Sequence, residues 1–366
     1  MPEPAPAGRV PPRVPHLSRT LPHPACPPVP TVLHPLLIDA VGAARACTPA
    51  GLGAAPAAYN PPKPAGGGAL GMAAAALGAR ILLIGVERTL LRRMGQQAGD
   101  LESAAVFFTM GALFLLPFAG LPKVRDWSFL RLAIPSGLVY AVAYWLYVSS
   151  IARAEVSRIA PLGALGGVAV AVMAVWTHGE SLSWLKGTGV LLVAGGALQL
   201  QRSRSLADGG RAAVVALPAC MMVGYALLSA AARLLDKSGA SAAAGATAGA
   251  YAFVVFTVVA LAHTAVLIAN GRLGGAVRLV QREPLVTAAA GVCNGGSFLT
   301  MLLALTVVPV SIVEPVTALS LLVTAVVARL WFHEPLGGRV LPTLAVVAGV
   351  WLVLFDALGG VPRALL

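Results

Sequence analysis

Apolar residues in this chain gather into ten long blocks, near 68–87, 104–121, 131–151, 156–177, 184–201, 212–234, 245–269, 285–306, 309–331 and 340–358. Each approaches the ~20 residues that a helix rising ~1.5 Å per residue needs to cross ~30 Å of hydrocarbon. No block alternates apolar and polar residues as a barrel strand does, and lipid offers no partner to an unpaired backbone group, so the pattern predicts helices. The breaks are short and hold the polar punctuation: Leu121-Pro122-Lys123, His178-Gly179-Glu180, Arg202 to Arg211, Asp236-Lys237-Ser238-Gly239, Arg278 to Pro284 and His333-Glu334-Pro335. Small residues such as Gly163, Gly166-Gly167, Gly189 and Gly195-Gly196 let helix backbones approach closely, which predicts tight packing rather than a wide pore.

The blocks repeat. Ser157 returns as Ser311, Pro161 as Pro315, Glu180 as Glu334, Leu182 as Leu336 and Ala194-Gly195 as Ala348-Gly349, all at one offset of 154 residues (311 − 157). Upstream, the same offset carries Gly137 onto Gly291, Tyr140 onto Asn294 and Tyr144 onto Phe298. Two copies of five blocks follow, over 67–201 and 212–358. Five is odd, so the second copy enters the membrane from the opposite side. The expected fold is an all-α polytopic membrane protein of ten transmembrane helices, arranged as two inverted five-helix repeats. Many secondary transporters use repeats related by an axis in the membrane plane and hold their substrate near the midplane.

Composition agrees with a membrane setting. Hydrophobic residues make up 58% and charged residues 11%, against roughly half and a quarter in soluble domains. The net charge of +12 is spread singly between apolar blocks; membrane-flanking loops carry charge this way, and a nucleic-acid-binding patch does not. Cys26, Cys47, Cys220 and Cys293 show no paired spacing, so neither a disulfide framework nor a zinc site is indicated. Residues 1–66 hold 17 of the 28 prolines and bury too little apolar surface to offset ordering, so a disordered Pro/Ala-rich arm is expected there. Pro30 and Pro35 interrupt the apolar stretch that a signal peptide would need. Met72 stands near the start of the first block as an alternative beginning, which leaves open whether the arm belongs to the native product.

Identity between the copies marks scaffold, and divergence marks an asymmetric cavity. Pro161 and Pro315 each remove a backbone donor, which suits a bend or a moving hinge. Glu180 and Glu334 stand where a helix leaves the bilayer, as caps or interfacial ion-pair partners. Glu314 replaces the Ala160 of the first copy inside an apolar block, where a charge costs at least ~2.5 kcal/mol. Coupling to a proton or cation is one reading of it, and an acid bonded to a neighbouring helix is the other. Arg80 and Glu87 share a helix face and either line a polar cavity or, with Arg88, mark the interface. Tyr140, Tyr144 and Tyr147 also share a face and suit stacking on an organic substrate or an interfacial belt. With their counterparts Asn294 and Phe298, and with Ser297, they make up the expected substrate pocket. His263 and Asp356 are expected at the interface, and Arg153 and Arg158 as snorkelling loop residues.

Two stretches carry a family resemblance over roughly 70–358. One reads Ser157-Arg158-Ile159-Ala160-Pro161-Leu162 and closes with Gly179-Glu180; the other reads Ser311-Ile312-Val313-Glu314-Pro315-Val316 and closes with His333-Glu334-Pro335-Leu336. They resemble the EamA-type members of the drug/metabolite transporter superfamily, in which a Glu-Pro pair commonly sits in the ninth helix and a Gly-Glu pair ends the fourth and ninth. Here His333 replaces the second glycine, and the first block lacks the Trp-Gly pair that many members show.

The resemblance implies a ten-helix carrier that exports amino acids, metabolites or toxic organic compounds, driven by exchange or a proton gradient. The expectation is a secondary active, multi-pass transporter of the plasma or inner membrane, exporting a small organic metabolite by alternating access. Its partners are the lipid bilayer, a small-molecule substrate, and a proton or counter-substrate, with no nucleic acid and with a homodimer compatible. A channel-like facilitator and a non-transporting scaffold or receptor are the alternatives. No metalloprotease, hydrolase-elbow or nucleotide-loop motif occurs, so neither an enzyme nor a cofactor is expected. Arginine and lysine favour the odd-numbered loops, which by the positive-inside rule puts both termini outside, whereas the resemblance implies both inside.

Overall fold

The computed structural model describes residues 67–124, 126–154, 159, 162–163, 165–180, 182–205, 212–242, 248–332 and 340–359. The proline-rich arm, Pro161, Arg158 and Glu334 lie outside the described residues. The described elements are helical: α1 (Gly67–Gln97), α2 (Asp100–Ala119), α3 (Leu130–Arg153), α4 (Leu165–His178), α5 (Trp184–Ser205), α6 (Ala212–Ala242), α7 (Ala248–Ala269), α8 (Leu273–Arg282), α9 (Pro284–Leu305), α10 (Val310–Thr317), α11 (Ser320–Phe332) and α12 (Val340–Gly359), with a 3-10 turn at Leu121–Lys123.

Among the described residues, six runs are long and apolar enough to cross a membrane: α2, α3, α7, α9, Leu217–Gly239 of α6, and Val310–Trp331 across α10 and α11. Their outward faces are apolar, with Leu113, Leu138, Leu227, Leu261 and Leu303 exposed, while Arg80, Glu87, Asp236 and Asn294 are buried. Charge inside and hydrocarbon outside is the arrangement lipid demands.

The packing has an exchange symmetry. α3 lies against α6 as α9 lies against α1, and α4 lies against α6 as α11 lies against α1. α2 pairs with α7, and α5 with α12. The α5–α12 crossing depends on glycine: a Cβ on Gly189 would stand 2.7 Å from the Gly349 carbonyl oxygen, and one on Gly349 would stand 2.6 Å from that of Gly189.

Glycine also ends α4. Gly179 has φ 63°, the left-handed conformation that commonly ends a helix, and the Glu180 amide reaches back to the Ala174 carbonyl at 3.4 Å. This turn carries Glu180 inward.

Three local expectations are corrected. First, Asp236 to Gly239 do not form a connection. The apolar faces on both sides continue in helical register, and α6 runs on to Ala242. Second, the connection ahead of Pro284 contains a short amphipathic helix, α8, which buries Ala276 and Leu279 and exposes Leu273 and Val277. Third, the ninth block is two helices. Pro315 has no amide hydrogen to give the Ser311 carbonyl, and just beyond it the chain tightens to three-residue closures, Ala318 to Pro315 at 3.0 Å and Leu319 to Val316 at 3.1 Å, before α11 begins.

Candidate functional site

Polar side chains at helical spacing on five helices meet around one cavity of about 60 Å³. That is smaller than the ~150 Å³ that admits benzene into an apolar core. α1 contributes Arg80, Glu87 and Arg88, and α3 contributes Tyr140, Tyr144 and Tyr147. α6 adds Tyr225, Ser229 and Arg233, four residues apart and so on one face. Ser297, Phe298 and Met301 come from α9, and Glu314, Pro315 and Thr317 from α10.

Glu314 ties the two arginines together. Arg233 Nη1 donates to its Oε1, and Arg80 Nη2 stands 3.7 Å from the same oxygen. Arg80 is 3% exposed; its Nε donates to Thr317 Oγ1 at 3.0 Å and its Nη1 to the Ser297 carbonyl at 2.8 Å. Arg88 Nη1 donates to Thr324 Oγ1 at 3.2 Å, while its buried Nε makes no hydrogen bond. Three guanidinium groups thus face two carboxylates, Glu87 and Glu314, so the lining carries one net positive charge. The aromatic wall is continuous: Tyr147 lies 4.5 Å from Tyr225 between ring centres, Tyr144 lies 5.5 Å from Tyr225, and Tyr140 meets Phe298 edge-on at 5.8 Å.

Behind Tyr140 sits Asp236, fully buried. It accepts hydrogen bonds from Ser136 Oγ at 2.6 Å, Tyr140 Oη at 2.7 Å and Tyr251 Oη at 3.1 Å. Three hydroxyl donors satisfy the carboxylate, and the bond to Asp236 fixes the Tyr140 ring.

Polar ties join the halves at both ends of the bundle. Where α1 finishes, Arg93 bonds Glu283 at 2.9 Å and stacks over Trp331, and Arg272 bonds Glu102 at 2.8 Å. Arg153 pairs with Asp100 at the same end at 2.5 Å, within the 67–201 segment. At the opposite end Glu180 caps α10: the Val310 and Ser311 amides donate to its oxygens at 3.1 and 3.3 Å, and the Ser311 hydroxyl donates to Oε2. Ser183 donates to Asp356 at 2.5 Å beside it.

Of the residues expected from sequence, Tyr140, Tyr144, Tyr147, Ser297, Phe298, Glu314 and Pro315 line the cavity, as do Arg80 and Glu87. Asn294 does not. It is 1% exposed, its amide nitrogen makes no hydrogen bond, and it lies beside Gly111 of α2. His263 is buried, with Nε2 donating to the Ala141 carbonyl at 2.8 Å.

Tyr225, Ser229, Arg233 and Asp236 escape the sequence reading, because Asp236-Lys237-Ser238-Gly239 resembles a turn and draws Arg233 toward a helix end. Their spacing of four, four and three is the available signal. Arg88 and Arg233 belong to the cavity and not to the loops.

Residues 69–200 match the EamA-like transporter family. Over 76 residues the chain is 37% identical to an uncharacterized transporter in the cobO 3' region of Sinorhizobium sp; the match covers 21% of this chain and 52%, about half, of that relative. A solved crystal structure shares the fold with a TM-score of 0.59 at 17% identity, over 78% of this chain and 96% of that one.

Proposed function

From the EamA-type transporter domain at residues 69–200, we propose that the chain is a secondary active transporter that exports a small organic metabolite by alternating access. The observation that carries the proposal is the cavity, enclosed between helices of both halves and lined by aromatic rings and paired charges in an otherwise apolar bundle. Polar groups so placed in a membrane protein are costly and mark a transport path.

The two halves, 67–201 and 212–358, act as inverted five-helix repeats. Support comes from the 154-residue sequence echo and from the exchange symmetry of the packing, in which the pairing of α3 with α6 has its counterpart in α9 with α1. Tyr140, Tyr144, Tyr147, Ser297 and Phe298 bind the substrate, and Asn294 supports this wall from behind. Pro315 and the break after it provide the moving joint, with Pro161 as its counterpart in the first half. Glu314 organises Arg80 and Arg233, so that the cavity presents positive charge at a fixed place.

Purified protein screened by thermal shift against amino acids, nucleosides, organic cations and organic anions should identify a stabilising ligand. In proteoliposomes that ligand should then show saturable uptake and counterflow. Flux that rises without saturation would indicate a channel, and specific stabilisation without flux a receptor.

A further inference from the structure

We propose that Glu87 is the carboxyl at which the cavity takes up and releases a proton, which makes a proton a second ligand of this site. The inference rests on the transporter reading above and arises from a comparison of the three buried acids around the cavity. Glu314 is held by Arg233 and Arg80, and Asp236 is saturated by three hydroxyls. Glu87 has neither. It is 3% exposed, its Oε2 accepts one long hydrogen bond from Ser297 Oγ at 3.3 Å, and among the described residues no cation lies within ion-pair distance of it.

The groups facing Glu87 are Arg80 and Arg88 on its own helix, Tyr144 and Tyr147 on α3, Arg233 on α6, and Cys293 with Ser297 on α9. α10 contributes Glu314, which is occupied by the arginines, and α11 contributes Thr324, which is occupied by Arg88. The charge on Glu87 is therefore balanced only at a distance. A proton from cavity water converts the carboxylate to the acid, releases the burden of an ion excluded from solvent, and returns to cavity water when the acid ionises. The lining then changes from one net positive charge to two. Because the same cavity would hold the substrate, proton and substrate affinities are reciprocally linked.

Infrared difference spectra of the purified protein, acidified against alkaline, test this without any substrate. The wild type should gain a protonated-acid carbonyl band on acidification. Glu87→Gln should lose that band, whereas Glu87→Asp should keep it at a shifted frequency and Asp236→Asn should leave it in place. A band unchanged in Glu87→Gln, a band lost in Glu314→Gln while Glu87→Gln retains it, or no band in the wild type would each overturn the assignment. A normal band in a protein that gives no counterflow with any stabilising ligand would sink the transporter reading and leave the proton site standing.

Discussion

At the scale of single residues, the cavity is an arrangement of charges that depend unequally on one another. Glu314 compensates two guanidinium groups, whereas Arg233 is one of two cations on that acid. Breaking a buried pair from one side costs about 3–5 kcal/mol, because the remaining charge is left uncompensated. Glu314→Gln strands both arginines and should lower the melting temperature in detergent more than Arg233→Met, which leaves Glu314 with Arg80. Equal losses would show that Arg80 draws nothing from Glu314. The acid in this cluster is legible in the sequence because Glu314 interrupts an apolar block and departs from the first copy's Ala160. Its partner is not, because Arg233 is followed by Asp236-Lys237-Ser238-Gly239, residue types that read as a turn. Only burial decides the matter: three hydroxyls from α3 and α7 receive Asp236 and hold the helix together past that point.

Among the elements, the ten apolar blocks are visible because hydrophobic length is a composition signal and survives any error in packing. Breaks inside a block are harder to see. Pro315 marks a missing donor, but whether the helix bends, splits or continues depends on contacts around the break, some of them distant in sequence. Here Thr317 Oγ1 donates to the Val313 carbonyl at 2.7 Å and Arg80 reaches Thr317 from α1, which stabilises the tightened turn between α10 and α11. Pro315→Ala supplies the missing amide to Ser311 and should make the run more regular. The expected result is higher thermal stability together with slower counterflow; an unchanged rate would make the proline a static bend.

The crossing of α5 and α12 gives a second test at this scale. Gly189→Val places a side chain where Gly349 already stands within 2.7 Å. Overpacking of that kind costs about 1–3 kcal/mol, measurable as a fall in melting temperature, and Gly189→Ala should cost less.

For the whole molecule, individual ties at the two ends of the bundle differ in strength, and the proposed alternating access would open each set in turn. Arg93 and Glu283 are partly exposed, with side chains 36% and 18% accessible, and such a pair contributes about 0–1 kcal/mol. Glu180 is buried and satisfied by two backbone amides and a hydroxyl at the start of α10, so the closure it makes is harder to break. Neutralising the weak tie should therefore bias the population toward opening at the end where α1 finishes, and neutralising Glu180 toward the opposite end.

Ser229→Cys places a reporter thiol inside the cavity, in a background where Cys26, Cys47, Cys220 and Cys293 are replaced by serine. With Arg93→Gln and Glu283→Gln, impermeant thiol reagent should label that position faster from the α1-end side of oriented vesicles, and with Glu180→Gln faster from the other side. Exchanging the charges, Arg93→Glu with Glu283→Arg, should restore the original labelling rates, because the pair and not either residue supplies the closure. Labelling that rises from both sides at once in either variant would mean the halves loosen together, and a cavity that opens to both sides at once cannot work by alternation.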